Sequence, residues 1–487
     1  MRPPMQRRVG AAFVLHVFGT ALAAPPPAAK NWAVIFDAGS TDTRCFVYSF
    51  TQHGASALPE VRSEPSWNTK VTPGISSFAN HPDDAGGSLA PLLHFASKIV
   101  PAAAQPTALV MLKATAGMRM VKADARERIY TSLLAAFRSQ RGSRFVARRE
   151  DFGTLAGEDE GLFGWLSTNQ LLVAAGELTA ARLGEVGALD LGGGSTQITF
   201  AGGDAGVAVR LPGQGERRVF THSHLGFGNK QVLAKLTDAE AAACLAAGAN
   251  ASSAGQKRWE AGPPDPSSML VGRGAFAPCL AGVRRVLATF DRHGQPDLSG
   301  RRFVAMSLFH YAAHFAQLAG HLRADPAALY SARDLRAGAA ALCAEPAALL
   351  HRRMAGVDPD TPDGAIQWRC FDLTYISALL DAYGFDHQAK SIRVAGTLAG
   401  AVVEWTRGAL LMKLIDGGGG GGASAVRRAA ESHAKRRPDD RPPSSRALIN
   451  FILVAGLVAV AVARHERLQY QQVGIQVSPR SVDGESE

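Results

Sequence analysis

Two stretches of the chain carry residue types that could do phosphate chemistry. Val34-Ile35-Phe36-Asp37-Ala38-Gly39-Ser40-Thr41 and Ala188-Leu189-Asp190-Leu191-Gly192-Gly193-Gly194-Ser195-Thr196 follow one plan: an apolar run, an aspartate, a tight glycine turn and a hydroxyl pair. Glycine lets a backbone approach a ligand closely and turn successive amides toward an anion. Serine and threonine add neutral donors. An aspartate at the mouth of such a turn repels phosphate unless a divalent cation lies between them. Two turns facing each other would therefore clamp a metal-bound polyphosphate. One such turn alone would mean little, because ordinary hairpins use Gly and Asp for conformation.

The elements that must position these turns can be read around them. Each turn is followed by a second strand-like run, Cys45–Tyr48 in the first copy and Gln197–Phe200 in the second, so two similar half-molecules are expected. Between the copies, 107–112 reads as a central strand running into Lys113-Ala114-Thr115-Ala116-Gly117-Met118-Arg119. Open α/β sheets place ligand groups at such strand ends. The apolar spacing predicts helices near 89–100, over 124–139 and near 303–320, and a short apolar run predicts a strand at 144–147. Glu158, Asp159 and Glu160 open a further helix reaching Leu172. Acids there complement the positive end of the helix dipole. Lying between the two glycine hairpins, one of them could equally be a general base.

Length and composition bound the rest. A chain of 487 residues with 46% hydrophobic content suits two folded domains. The formal charge of +10 gathers toward the ends, in Arg2, Arg7, Arg8 and Lys30 and again in Arg427, Arg428, Lys435, Arg436, Arg437, Arg441 and Arg446, so nucleic-acid binding is not inferred. Residues 1–24 read as a secretory signal peptide: arginines, an apolar core and Ala21-Leu22-Ala23 before a proline break. An uncleaved anchor is the other reading. Six glycines, Gly417–Gly422, open a flexible linker over 417–446. The nearly uninterrupted apolar run 447–463 predicts a short transmembrane helix, followed by a tail over 464–487. Of the five cysteines, Cys45 is expected to be a buried thiol. Pairing Cys244 with Cys279 and Cys343 with Cys370 closes the shortest loops. No cysteine or histidine spacing suggests zinc, and His222 and His224 are read as surface or hydrogen-bonded histidines.

Taken in order, Asp37–Thr41, Ala114–Arg119, Glu160-Gly161 with Gly164-Trp165 and Asn169, and Asp190–Gly193 with Ser195-Thr196-Gln197 resemble four characteristic regions of the apyrase family, the nucleoside di- and triphosphate diphosphohydrolases. Trp405-Thr406-Arg407-Gly408-Ala409 is similar to a fifth. Cys370–Leu380 resembles the penultimate block in the form common among diphosphate-preferring members. The match spans about 31–416. It implies an α/β fold of two actin-like, RNase H-like domains with an interdomain active-site cleft. The first would be 31–168 completed by 394–416, the second 169–393.

The resemblance also implies roles. Glu160 would be the general base on the attacking water, with Ser195 and Gln197 positioning it. Gly39, Ser40, Thr41, Arg119, Gly192, Gly193 and Gly194 would bind phosphate. Asp37, Thr115 and Asp190 would hold Mg²⁺ or Ca²⁺ largely through water. Substrates would be nucleoside di- or triphosphates, met in the secretory lumen or at the cell surface by a protein anchored through its C-terminal helix; its oligomeric state is left open. Asp42 departs from the family pattern and would burden phosphate binding unless a cation or Arg44 compensates. Tyr375, Phe309 and Tyr311 are candidates for stacking on the base. Two other readings stand beside this one: an exopolyphosphatase of the same superfamily, and a noncatalytic nucleotide-binding membrane protein.

Overall fold

The computed structural model describes residues 31–52, 57–139, 143–203, 206–252 and 269–418. The signal segment 1–24, the linker from 419 onward, the apolar run 447–463 and the tail lie outside them. No helix among the described residues is long and apolar enough to cross a membrane.

The first sheet is built from β1 (Asn31–Ala38), β2 (Thr43–Thr51), β3 (Glu60–Arg62), β4 (Asn68–Val71), β5 (Leu109–Ala114) and β6 (Phe152–Thr154). Its strand order is β3-β2-β1-β5-β6, with β4 also paired to β2. β1 and β2 form an antiparallel hairpin in which Asp37 faces Arg44, and β5 runs parallel to β1 with Ala114 beside Ala38. Helices α1 (Ala90–Ile99), α2 (Ala116–Arg119) and α3 (Ala123–Ser139) accompany this sheet. Val34, Phe36, Leu112, Leu133 and Phe137 share one buried core with it.

Helix α4 (Gly157–Ala174) leads to the second sheet, made of β7 (Gly187–Leu191), β8 (Ser195–Ala201), β9 (Val207–Leu211), β10 (Gly215–Leu225), and, after intervening elements, three later strands. Those elements are α5 (Asn229–Ala234), α6 (Asp238–Cys244), the ribbon β11 (Asn250–Ser252) with β12 (Met269–Val271), and α7 (Phe276–Leu287). Then come β13 (Phe303–Ser307), α8 (Leu308–Leu318), β14 (Leu329–Tyr330), α9 (Ala332–Cys343), α10 (Ala347–Met354), α11 (Arg369–Tyr383) and β15 (Ile392–Val394). The order is β14-β15-β13-β7-β8-β10-β9. Again a hairpin, β7 with β8, is extended by parallel strands, β13 beside β7 and β15 beside β13. The two sheets therefore repeat one topology, and each places its glycine turn at the same end of the same hairpin.

A small pair, β16 (Thr397–Leu398) with β17 (Ala401–Val402), precedes α12 (Trp405–Gly418). Glu404 caps this helix by accepting from the amides of Thr406 at 2.5 Å and Arg407 at 3.1 Å. The chain end is tied to the first sheet: Tyr48 bonds Glu404 and Thr406, Arg407 Nη1 donates to the carbonyl of Val61 at 2.8 Å, and Gln52 reaches the carbonyl of Leu414. Cys244–Cys279 and Cys343–Cys370 are disulfides, and Cys45 is a buried thiol.

Two elements differ from expectation. Residues 144–147 form no strand; Phe145 drops into the core while Val146 is exposed, and the sheet edge is made by Phe152–Thr154 paired to β5. The segment 303–320 is not one helix, since 303–307 is the buried parallel strand β13 and helix begins only at Leu308. A continuous apolar run fits a buried strand as well as a buried helix.

Helix α12 crosses α4 so closely that a Cβ at Gly408 would lie 1.8 Å from the carbonyl oxygen of Phe163. Gly408→Ala should destabilise the fold by about 1–3 kcal/mol, the usual cost of overpacking, read as a lower urea midpoint. An unchanged midpoint would mean that the two helices do not approach this closely.

Candidate active site

The two glycine turns meet across a cleft of about 250 Å³. Close side-chain contacts favour glycine in the second turn: a Cβ at Gly193 would sit 2.9 Å from Ser40 Oγ, and one at Gly194 would sit 2.7 Å from the Ala116 methyl. The second turn is pinned from behind. The carbonyls of Gly192 and Gly193 accept from the amides of Asn229 and Gln231, and that of Gly194 accepts from Gly226. In a trans peptide the N–H points opposite to the preceding carbonyl. The amides of Gly193 and Gly194 therefore point away from the start of α5. Lys230, on α5, bridges the two halves by donating to Thr41 Oγ1 at 2.6 Å.

Five carboxylates line this cleft: Asp42, Glu160, Asp190 and Glu404 are buried, and Asp37 is half-buried. Asp37 ends β1, and its Oδ1 is buried without a hydrogen-bond partner. Burial pushes its carboxyl well above the usual range against the pull of Arg44, and Glu160, Asp42 and Glu404 add repulsion. Asp190, near the end of β7, is raised by burial, with the Ser307 hydroxyl and Arg44 opposing. Glu160, in the first turn of α4, is pushed up to about 7 by burial, offset by Arg119 and reinforced by Asp190. The dipole of α4 favours a charge there but does not cancel its desolvation.

Around Glu160 the expected set assembles. Gln197 Nε2 lies 3.2 Å from Glu160 Oε2 and 2.9 Å from Ser195 Oγ, donating to both. Arg119 Nη2 donates to the same Oε2 at 2.6 Å and to Ser195 Oγ at 3.3 Å. All the bonds described for this carboxylate converge on Oε2, leaving Oε1 for another donor. Ser195, Glu160, Asp37, Thr115, Asp190, Gly39–Thr41 and Gly192–Gly194 line the cleft. Arg119 and Gln197 do not; they stand behind Glu160, and Arg119 is placed as its ion-pair partner rather than on the phosphate wall.

The sequence reading missed several lining residues, Lys70, Asn229, Lys230 and Glu404, and named Arg44 and Trp405 only as a compensating charge and as part of the fifth family-like block. A signal existed for Lys70, which is paired with Arg44 across β2 and β4, only once that pairing was known. Arg44 Nε donates to Asp42 Oδ1 at 3.1 Å, so the unusual carboxylate at 42 has its compensating charge. Of the three stacking candidates, Tyr311 alone lines the cleft. Phe309 is in the core, and Tyr375 is fully buried with its hydroxyl on the carbonyl of Phe227.

The donor set suits a hard divalent cation. Asp37 and Asp190 supply buried oxygens, one of them orphaned, and Thr115 adds a hydroxyl; carboxylate and hydroxyl oxygens are the ligands Mg²⁺ and Ca²⁺ prefer.

Comparison with known proteins agrees with this geometry. A sequence profile of the GDA1/CD39 (nucleoside phosphatase) family matches residues 25–416. Ectonucleoside triphosphate diphosphohydrolase 8 of Bos taurus is 30% identical over 450 residues, 82% of this chain and 86% of that protein. Ectonucleoside triphosphate diphosphohydrolase 2 of Gallus gallus is 30% identical over 464 residues, 84% and 90% of the two chains. A crystal structure of nucleoside triphosphate hydrolases from Neospora caninum superimposes with a TM-score of 0.58 at 16% identity, covering 80% of this chain and 93% of that one, which supports the fold.

The folded-state pKa of Asp37 lies above the unfolded 3.8. Its contribution therefore favours the fold below that value and is lost as pH rises through the folded pKa. Asp37→Asn should raise the melting temperature of the chelator-treated protein at pH 7.5, by the equivalent of about 0.5–2 kcal/mol, with the gain shrinking toward pH 4. A variant less stable than the parent at pH 7.5 would contradict the burial cost assigned to this carboxylate.

Proposed function

The chain belongs to the GDA1/CD39 (nucleoside phosphatase) family and is a nucleoside tri/diphosphate hydrolase; from that premise we propose how its residues divide the reaction. The terminal phosphate of a nucleoside di- or triphosphate enters between the two glycine turns. The amides of Gly39–Thr41 and Gly192–Gly194, with Ser40 and Lys230, take the negative charge of the phosphate chain. A divalent cation, Mg²⁺ or Ca²⁺, would be held by Asp37 and Asp190 with Thr115 nearby, and when bound it neutralises phosphoryl oxygens and the buried carboxylates together.

Glu160 Oε1 accepts the proton of the attacking water, whose oxygen bonds to the terminal phosphorus as the bond to the bridging oxygen breaks. Ser195 fixes the water, Gln197 holds Ser195 and the carboxylate from behind, and Arg119 holds Oε2 and leaves Oε1 facing the reaction. The nucleoside phosphate departs in line, and no phosphoenzyme forms. Tyr311, half-buried at the cleft wall, is the aromatic surface offered to the base. What supports this reading most is the convergence of Glu160, Ser195 and Gln197 beside paired glycine turns, since binding alone needs no water-activating set.

The proposed division into 31–168 with 394–416, and 169–393, draws support from the repeated sheet topology and from the bonds that tie Glu404–Leu414 to β2 and β3. Action in the secretory lumen or at the cell surface draws support from the two disulfides and the signal-like N-terminus. The apolar run 447–463 is the proposed membrane anchor.

Phosphate release from ADP, ATP, GDP, UDP and tripolyphosphate tests the reading. Cation-dependent release from nucleotides, abolished by EDTA, is expected; release from tripolyphosphate alone would favour an exopolyphosphatase. Glu160→Gln should lower kcat by about 10²–10⁴-fold while nucleotide binding persists. Because the base must be ionised, kcat/KM of the parent should fall as pH drops below about 7. Equal loss of binding and turnover in Glu160→Gln would sink the role assigned to it.

A further inference from the structure

Strand β10 carries His222, Ser223 and His224 in succession, and a strand sends alternate side chains to opposite faces. Ser223 faces the group behind Glu160, where its hydroxyl accepts from Gln197 Nε2 at 3.1 Å and Arg119 Nη1 at 3.4 Å. His222 and His224 therefore lie on the other face. There the turn after α7 brings a third imidazole, His293, seventy residues on in the chain and invisible to any local spacing. The ring centroids of His222 lie 4.5 Å from His224 and 4.3 Å from His293. One ring nitrogen from each of the three lies within 4.8 Å of the others.

Packing alone does not account for this group. His224 is 5% exposed, and its Nε2 has no hydrogen-bond partner. A core histidine ordinarily satisfies both nitrogens. Burial and the two neighbouring imidazoles push His224 down to about 3, so it is neutral at physiological pH, the form that ligates metals. His293 is arranged from the opposite side. Asp291 accepts from its backbone amide at 3.0 Å and sits 3.2 Å from its Nδ1, which leaves Nε2 for an ion. A carboxylate behind an imidazole is the usual support of a metal-ligating histidine. Phe290, stacked on His224 at 4.0 Å, and Tyr383 wall the inner side of the group.

We propose that His222, His224 and His293 form a second metal site, for Zn²⁺ or a similar borderline divalent ion, with water in the fourth position. Three imidazoles suit such an ion, whereas Mg²⁺ and Ca²⁺ prefer the oxygens of the cleft. Ligand nitrogens around tetrahedral zinc stand about 3.3 Å apart, and His293, on an exposed turn, supplies the movement that closes them. The ion would join β10 to the turn after α7, one residue from Ser223. This site stands independently of the assignments in the cleft.

The experiment is titration of the tag-free, chelator-stripped full chain with Co²⁺, followed by displacement with Zn²⁺, in millimolar Mg²⁺. The expected result is one equivalent of Co²⁺ with the visible absorption of a four-coordinate ion, displaced by Zn²⁺. His293→Asn, which keeps a residue tolerant of the left-handed backbone there (φ 48°), should weaken binding at least tenfold. His224→Phe, which keeps the ring stack on Phe290 and removes the nitrogens, should do the same. Asp37→Asn should leave binding unchanged. Zn²⁺ should raise the melting temperature of the parent and not of His293→Asn. Equal Co²⁺ affinity in the parent and in His293→Asn, absence of the four-coordinate spectrum, or loss of binding in Asp37→Asn would each overturn the proposal.

Discussion

The structure depends on one electrostatic burden, the withdrawal from water of Asp37, Asp190 and Glu160, three of the five carboxylates that line a single cleft. Removing carboxylates from water is unfavourable unless charge or hydrogen bonds replace the lost solvent. Each of the three receives incomplete relief from the protein. Arg44 lies between Asp37, Asp42 and Asp190, Arg119 holds one oxygen of Glu160, and Asp37 Oδ1 is left with no partner. What remains uncompensated is what a cation and the proton of a water molecule can satisfy.

Much of the architecture serves to hold this arrangement. Two sheets of the same topology bring equivalent hairpin ends together, so that each contributes one aspartate and one turn. Glycine at 193 lets the second turn approach Ser40 of the first, and glycine at 194 lets it approach Ala116, where a methyl group would crowd both. Helix α4 starts at the junction and offers Glu160 from its first turn, while α12 packs on α4 and is tied through Glu404 and Arg407 to the first sheet. Movement in α12 would therefore reach Glu160 through a single helix.

The hairpins and their aspartates could be read from the sequence because they rest on local residue types, an apolar run, a glycine turn and a hydroxyl pair at fixed spacing, whereas Glu160, Ser195 and Gln197 stood out as a set only through the family resemblance. The cysteine pairing followed from loop length. Features set by distant contact were not readable. Lys230 reaches Thr41 from the other half of the chain, and Arg119 turns toward Glu160 although its surroundings resemble a phosphate loop. Phe145 imitated a strand by filling a core gap, and 303–307 merged with the helix after it because both are apolar. Tyr375 was chosen for its ring, but its helix buries that ring against Phe371.

The central claim is that water, deprotonated by Glu160, displaces the nucleotide from phosphorus in one in-line step. The stereochemical course at the transferred phosphorus tests it most directly, using a nucleoside triphosphate whose terminal phosphate is chiral through sulfur and oxygen isotopes. The account predicts inversion of configuration in the released thiophosphate. Retention would require two successive displacements through a covalent phosphoenzyme and would contradict it.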